Sequence, residues 1–299
     1  MAQSLVTEAA APIAAPRRPT RIRAFWQPFV ESRMGPIGLG ILILVALAAI
    51  FAPVISPEGP FALGGPRLAA PGTDGHILGT DHLGRDILAQ IVYGARVSLT
   101  IGLVAASISL VVGVLIGSIA GYCGGWVDIL LSRLTDMFLI IPAFFLIIVV
   151  VATLGSGIGY VMVVIGLTAW PTSARLMRAQ ALSLRERTFV QALRALGESG
   201  PRILVRHIIP NGIQPLIANA SLDIAAAILI EAGLSFIGLG DPNKATWGRM
   251  IFDGRTTITT AWWASVLPGV AIIVTVLGFY LVGDGISYVL NPRSRRVRG

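Results

Sequence analysis

The stretch that decides the fold is LSLRERTFVQALRALGESGPRILVRHIIPN, residues 182–211, a charged segment set between long apolar runs. On a helix its side chains separate into two faces. The apolar face consists of Leu182, Phe189, Leu193 and Leu196, and the polar face consists of Arg187, Gln191, Arg194 and Glu198. Gly197 and Gly200 interrupt the pattern, and Pro201 suits the first turn of a new helix because its missing N–H would be unpaired there. The stretch therefore predicts a helix, a turn and a second helix that ends at Pro210.

The composition is that of a polytopic membrane protein. Of the 299 residues, 55% are hydrophobic and 13% are charged, whereas soluble chains have about 25% charged residues. The formal net charge of +8 also suits nucleic-acid binding. Basic residues in the loops of a membrane protein are more simply explained by their effect on orientation, so we expect no nucleic-acid partner. Cys123 is the single cysteine, which excludes an intramolecular disulfide.

Six apolar runs predict an all-α bundle of six transmembrane helices, since one span needs roughly 20 apolar residues. The expected bounds are 37–55, 96–122, 129–154, 158–174, 213–237 and 264–290. The fourth run is the weakest because its apolar part ends at Trp170 and Pro171. It is retained because, without it, residues 182–211 would lie across the membrane from the basic N-terminal tail. Gly113, Gly117 and Gly121 are expected on one face of the second helix, where another helix approaches closely.

The segments outside the spans define tails and loops. Residues 1–36, rich in Ala, Pro and Arg, predict a disordered cytoplasmic tail; a mitochondrial presequence is the alternative, which the scattered prolines oppose. The transmembrane domain covers 37–292, with outer loops at 56–94 and 238–263, a cytoplasmic loop at 175–211 and a basic C-terminal tail at 293–299. Sixteen of the 23 basic residues lie in the two tails and the cytoplasmic loop, which predicts that both termini and this loop are cytoplasmic.

Acidic residues inside the predicted spans are candidates for a translocation path. A charged group in a bilayer costs about 2.5–3.5 kcal/mol on insertion scales, so Asp223 and Glu231 should face the protein interior or water. Their spacing of eight residues places them roughly on one helix face. A path lining and a pair of carboxylates bonded to neighbouring helices both stay open. Asp136 is a further path candidate, with a structural pair to Arg133 as its alternative.

The sequence lacks the motifs of nucleotide hydrolysis and of common catalysis. Its single lysine, Lys244, follows Asp241-Pro-Asn, so no Gly-x-x-x-x-Gly-Lys loop exists. Neither a Ser/His/Asp set nor an HExxH motif is present. The region from His76 to Asp86 holds two His and three Asp, but their spacing matches no defined ligand set, so we expect no metal. We therefore expect that the chain is not an enzyme.

The segment 182–211 carries a family resemblance. Gln191-Ala-Leu193, followed by Gly197 and Pro210, resembles the Glu-Ala-Ala, Gly and Pro spacing of the coupling loop in ATP-binding-cassette importer permeases. The ending Arg206-His-Ile-Ile-Pro-Asn is similar to that of the dipeptide, oligopeptide and nickel branch. Gln191 stands in place of the usual Glu and Leu193 in place of the second Ala, which puts the charge contact of that position in question. An ordinary loop that packs on the membrane surface is the alternative.

Two outer-loop motifs extend the resemblance to about 37–292. Gly79-Thr-Asp81 with Gly84-Arg-Asp86, and Trp247-Gly-Arg-Met, are similar to motifs of the same branch, and the chain resembles its second, C-type permease. The resemblance implies that both loops contact an extracytoplasmic solute-binding protein. The residues implied in that contact are Asp81, Arg85, Asp86 and Trp247. Simple capping of the bundle is the alternative for these loops.

The resemblance also implies a function and its partners. It implies a multi-pass permease subunit of the bacterial inner membrane that imports peptides or a nickel chelate. Separate ATPase subunits would hold ATP and Mg, and a second homologous permease and membrane lipid would complete the assembly. The residues implied in coupling to the ATPase are Arg187, Gln191, Ala192, Leu193, Arg194, Leu196, Gly197, Arg206 and Pro210. The alternative function is an ion-gradient-driven transporter coupled through Asp223 and Glu231, although the internal repeats frequent in such proteins are not visible.

Overall fold

The computed structural model describes residues 21–73 and 75–290, with side chains from residue 25 onward. Over these residues the protein is helical, with two isolated β-bridges, Thr73 to His76 and Thr80 to Asp86, and no strand. The all-α prediction is confirmed. The predicted C-terminal tail 293–299 lies outside the described residues.

Thirteen α-helices follow one another along the described chain. They are α1 Arg21–Glu31, α2 Met34–Ile50, α3 Ala52–Ile55, α4 Ile87–Cys123, α5 Gly125–Ile140, α6 Ala143–Leu154, α7 Ile158–Arg185, α8 Thr188–Ala195, α9 Gly200–Ile203, α10 Ile209–Gly212, α11 Gln214–Phe236, α12 Trp247–Gly254 and α13 Trp263–Leu290. A π-helix, Leu204–Ile208, joins α9 to α10, and a 3₁₀ turn, Arg255–Thr257, follows α12.

Fewer described helices than predicted have the length and composition of a membrane span. Three described helices, α4, α11 and α13, are long and apolar enough to cross a membrane. Two bent pairs, residues 25–31 with α2 and α5 with α6, raise the number to five if each pair is one span. Six spans are therefore not confirmed. The fourth predicted span lies in α7, a continuous 28-residue helix that also contains Pro171, Arg175 and Arg178.

Helix α4 begins nine residues before the predicted start at residue 96. The Asp86 carboxylate accepts a hydrogen bond from the backbone N–H of Ala89 at 2.7 Å and so caps the first turn. Residues 87–95, assigned to the outer loop, are therefore helical. At 37 residues the helix is about 56 Å long. That exceeds the bilayer hydrocarbon core of about 30 Å, so α4 is tilted or extends beyond the core.

The predicted third span is broken rather than continuous. Helices α5 and α6 are bent by 79° across Ile141 and Pro142. Pro142 has no N–H to continue the helix, and it disfavours helical geometry in the residue before it. Ile141 accordingly has an extended backbone, with φ −79° and ψ 123°. The 12-residue α6 is too short to cross a bilayer alone.

The N-terminal prediction is also corrected. Residues 1–36 were expected to be disordered, but residues 21–31 form α1 and α2 begins at Met34. Phe29 is 3% exposed, and its ring fills the space left open by the absent side chains of Gly35 and Gly285. This packing holds α1 at 96° to α2. Residues 1–20 lie outside the described range.

The close contact predicted for the three glycines of α4 is confirmed. A side chain at Gly117 would overlap the carbonyl oxygen of Ala174, and one at Gly113 or Gly121 would overlap other parts of α7. Helices α4 and α7 can therefore approach at backbone distance along their length. The charged segment begins in the last turn of α7 and continues directly from this close helix pair.

Candidate functional site

Helix α8 forms the first half of the charged segment and ends as its sequence predicted. Arg187 precedes it in an extended conformation. Gly197 follows it at φ +80°, a conformation that suits glycine. The N–H of Glu198 donates to the carbonyl oxygen of Leu193, and that of Gly197 to the carbonyl oxygen of Arg194, both at 3.0 Å. These bonds close the last turn of the helix.

Helix α8 has one fully buried residue, and its Phe189 side chain, like that of Leu196 directly after the helix, is exposed. Val190 is fully buried, whereas Phe189 is 41% exposed and Leu196 is 83% exposed. Of the residues expected to couple to the ATPase, Leu193 is half-buried and the others are exposed. The exposed ones are Arg187, Gln191, Ala192, Arg194, Leu196, Gly197, Arg206 and Pro210. The structure therefore exposes apolar and basic side chains along α8 and at the residue that follows it.

The second half of the segment differs from its prediction at Pro210. This proline lies at the start of α10 and does not end the helical path. Directly before it, the π-helix Leu204–Ile208 widens the turn, and the N–H of Ile209 donates to the carbonyl oxygen of Leu204. A π-turn is one way for a helix to pass a residue without an N–H. The side chain of Asn211 donates to the carbonyl oxygen of His207 at 2.6 Å.

A buried apolar cluster joins the charged segment to the ends of α4, α7 and α11. Its fully enclosed members are Met177, Ala181, Val190, Ile203, Ile208 and Leu216, with Val114 of α4 beside them. The guanidinium carbon of Arg194 lies 5.4 Å from the centre of the Tyr122 ring at the end of α4. Side chains of α8, α4 and α7 are therefore in continuous contact, and close-packed interiors of this kind deform little.

Two ion pairs connect α5 to α7 beside this cluster. Asp128 accepts two hydrogen bonds from Arg178, at 2.5 and 2.7 Å, and Asp136 accepts one from Arg175 at 2.7 Å. The sequence predicted Arg133 as the partner of Asp136. That pairing is wrong, because Asp136 pairs with Arg175 instead. A cleft of about 280 Å³ lies between α4, α5 and α7, and Asp136, Arg175 and Arg178 line it. Of the three path candidates, Asp136 is the one that borders this open cleft.

The other two path candidates are bonded inside the protein. Asp223 is half-buried and accepts hydrogen bonds from Ser173 of α7 at 3.3 Å and from Asn219 at 3.1 Å. Glu231 is 4% exposed and accepts a hydrogen bond from Ser235 at 2.6 Å. It borders a cavity of about 10 Å³, enough for about one water molecule. The Glu231 side chain is enclosed within its own chain, which favours the alternative of a carboxylate bonded inside the protein over a path lining.

The outer-loop candidates mostly stabilise their own loops. Asp81 is 5% exposed and accepts hydrogen bonds from the backbone of Leu83 and Arg85. Trp247 is 1% exposed and donates to the carbonyl oxygen of Ile91 at 3.0 Å. These two side chains are therefore enclosed within the chain, and this burial favours the alternative role of capping the bundle over direct contact with a binding protein. Arg85 and Asp86 are half-buried, so their contact remains a prediction.

Asp86 also pairs with His76 at 2.7 Å. Across the part of the chain that the structure describes, no three His, Cys, Asp or Glu residues are grouped so that they could hold a metal ion. The contact between His76 and Asp86 therefore lies within one loop, and it stabilises the Asp86 carboxylate that caps α4.

Most of the chain matches a known family of membrane proteins. The model of the binding-protein-dependent transport system inner membrane component matches residues 113–296, more than half of the sequence. The chain belongs to this family. A second model, the N-terminal TM domain of oligopeptide transport permease C, matches residues 20–71 of this permease-family chain. The first match contains the whole segment 182–211, and the second contains α1 and α2.

Individual relatives align with this family member over most of their length. It is 39% identical to the dipeptide transport system permease protein DppC of Alkalihalophilus pseudofirmus over 276 residues, which covers 91% of this chain and 90% of the relative. Its identity to the di/tripeptide transport system permease protein DppC of Pseudomonas aeruginosa is 37%, over 92% of this chain and 93% of the relative. Its identity to the oligopeptide transport system permease protein OppC of Bacillus subtilis is 35%, over 90% of this chain and 88% of the relative. The resemblance drawn from the sequence motifs is confirmed.

Sequence reasoning missed several residues that position the site. Val190 attaches α8 to the protein, Tyr122 stacks on Arg194, and Asp128 pairs with Arg178. Val190 lies between the two faces of the helical pattern, so its burial was hidden by the stronger pattern around it. Asp128 and Arg178 are 50 residues apart, and no local signal in the sequence joins them.

Proposed function

We propose that this chain is one permease subunit of an ATP-driven importer of the bacterial inner membrane. The observation that carries the proposal is that α8 and the residue after it expose Phe189 and Leu196, while Val190 packs into the bundle. A helix that presents apolar and basic side chains from a rigid support suits the groove of a separate ATPase subunit. Membership of the permease family agrees with this role.

The proposed topology has six membrane crossings, with both termini and α8 in the cytoplasm. Helices α4, α11 and α13 supply three crossings, and the two bent pairs supply two more. Helix α7 supplies the sixth, because it runs next to α4 and leads directly into α8. The excess of arginine in the loop 175–211 supports the cytoplasmic side for α8.

The proposed mechanism converts ATPase closure into helix movement. When two ATPase subunits close around ATP and Mg, they draw together the α8 helices of two permease subunits. The buried cluster around Val190 transmits the displacement to α4 and α7, and the ion pairs of Arg175 and Arg178 extend it to α5. The path then opens outward and receives cargo from a binding protein.

The proposed path lies beside α5 and α6, where a second homologous permease subunit completes it. These helices expose Met137, Ile140 and Phe145, and Asp136 borders the cleft next to them. We propose peptides as the cargo, because the relatives described above are named as dipeptide, di/tripeptide and oligopeptide permeases. A nickel chelate is not favoured by any of these names. An ion-gradient mechanism centred on Glu231 is disfavoured, because its side chain is enclosed.

Co-purification from mild detergent tests the proposal. Tagged wild-type protein should retain ATP-binding-cassette subunits, and the eluate should hydrolyse ATP. Leu196→Asp should lose both, because it places a charge in the apolar contact. The matched control is Leu63→Asp, at a leucine that is 71% exposed in the outer loop; it should retain the ATPase. Wild-type protein without any nucleotide-binding partner, or equal retention by both variants, would refute the proposal.

A further inference from the structure

A groove of about 280 Å³ lies between α2 and α4 on the outside of the bundle. Its walls are aliphatic, with Ala46 and Ile50 from α2 and with Leu99 and Leu103 from α4. Arg96 borders the same groove. Helix α4 is one of the candidate membrane spans. A groove on its outer side therefore opens toward the membrane. The transport function proposed above assigns no role to this groove.

The side chain of Arg96 is held in place at the edge of the groove. Its Nε–H donates to the carbonyl oxygen of Ala49, and its Nη2–H donates to that of Ile50 at 2.9 Å. The carbonyl of Ala49 has no helical partner because Pro53, four residues later, lacks an N–H. The guanidinium carbon also lies 5.6 Å from the centre of the Tyr93 ring. The guanidinium is thus oriented before any ligand arrives.

The charge of Arg96 is not balanced within the described residues. The ion pairs formed there involve other basic side chains, and Arg96 is exposed. A guanidinium has five N–H donors, and two of them are used on the carbonyls of α2. The three others are available beside an aliphatic groove. An arginine on a membrane-embedded helix is costly unless it reaches an anion or water.

We propose that the groove binds one anionic phospholipid. The phosphate group accepts hydrogen bonds from the unused N–H groups of Arg96, and an acyl chain lies against Ala46, Leu99 and Leu103. Both parts of the groove are needed for this assignment. A free phosphate ion would gain nothing from the aliphatic walls, and an uncharged chain would leave the guanidinium without an anion. A bilayer lipid supplies both, and guanidinium geometry matches phosphate oxygens.

Lipid retention measured by native mass spectrometry tests the proposal on the full-length purified protein. The probes are phosphatidylglycerol, phosphatidylcholine and inorganic phosphate, each added at the same concentration. Wild-type protein should retain one phosphatidylglycerol in preference to phosphatidylcholine and should unfold at a higher temperature in its presence. Arg96→Gln should weaken phosphatidylglycerol binding about fivefold, which is the typical contribution of one basic residue to anionic-lipid binding. Arg96→Lys should fall between the two, since it keeps the charge and loses the planar fork.

Two further variants make the result decisive. Ala46→Phe fills the groove and leaves Arg96 with its two carbonyl partners, so it should lose the lipid even if Arg96→Gln fails to fold. Arg133→Gln removes an exposed arginine from α5, outside the groove, and should retain the lipid. Equal retention of the two lipids by wild type, equal stabilisation by inorganic phosphate, or undiminished retention by Ala46→Phe would overturn the proposal.

Discussion

Helix α8 and the outer loops carry motifs of similar clarity in the sequence, yet they place their side chains in opposite ways. Directly after α8 the large apolar residue Leu196 is 83% exposed. In the outer loops Asp81 and Trp247 are 5% and 1% exposed, and their polar atoms are bonded within the chain. A recognisable motif therefore identifies a family without saying whether its residues bind a partner or fold the chain. Burial separates the two cases.

The largest expected effect is on the stability of the outer loops. Trp247→Ala removes a fully enclosed indole packed on Gly94. Such a change costs about 3–5 kcal/mol of unfolding free energy. Thermal unfolding in detergent measures it. Trp126→Ala is the matched control, because Trp126 is 74% exposed, and it should change stability by less than about 0.5 kcal/mol. Equal effects of the two variants would remove the contrast between the regions.

A smaller loss is expected for Asp81→Ala. The carboxylate accepts hydrogen bonds from the N–H groups of Leu83 and Arg85 and from the amide of Gln90. Groups left without a partner in a buried site cost about 1–3 kcal/mol, so the unfolding temperature should fall. Glu58→Ala, at an exposed acidic residue of the same loop, should leave it unchanged. Normal stability of Asp81→Ala combined with weaker binding-protein affinity would instead indicate a contact role.

Gly197→Val sharpens the comparison from the side of α8. Gly197 has φ +80°, and side-chain-bearing residues lose about 1–2 kcal/mol in that conformation. The turn after α8 should distort, so transport should be abolished while the protein still inserts in the membrane. Gly197→Asn is the control, because asparagine tolerates left-handed geometry, and it should retain most activity. Uptake of labelled peptide and membrane yield measure the two properties; full uptake by Gly197→Val would contradict a coupling role.

The smallest expected effect concerns the ion pair that joins α5 to α7. A double-mutant cycle with Asp128→Asn and Arg178→Gln should give a coupling energy of about 1 kcal/mol, because the pair is bidentate and partly buried. The more exposed Asp136–Arg175 pair should give less than about 0.5 kcal/mol. Chemical unfolding of the four proteins in each cycle measures both values. No coupling in either cycle would show that these ion pairs do not stabilise the packing of α5 against α7.

Local signals explain which parts of the fold were predictable. The turn at Gly197 and the packing of Gly113, Gly117 and Gly121 follow from single residues or fixed spacings, and both are found as predicted. The break at Pro142 had a local signal too, but the length of the apolar run outweighed it. The start of α4 at Ile87 depends on the cap supplied by Asp86 inside a polar stretch, which a search for apolar runs does not detect.

The rest of the site depends on contacts between distant residues. The Asp128–Arg178 pair and the burial of Trp247 against α4 form only when helices pack, so no spacing in the sequence reveals them. The exposure of Leu196 is also a tertiary result, since an amphipathic pattern does not say which partner covers its apolar face. Within this chain, Val190 and the half-buried Leu193 determine which side of α8 faces the bundle, because both pack on the buried cluster.

Site-specific cross-linking tests the central claim most directly. Cys123 is the single native cysteine and is exposed, so Cys123→Ser provides a background for Leu196→Cys and, separately, Leu63→Cys. A short cross-linker applied to native membranes should join position 196 to an ATP-binding-cassette subunit and position 63 to none. Cross-links to the ATPase from position 63, or from neither position in membranes that transport peptide, would contradict the assignment of α8 as the coupling helix.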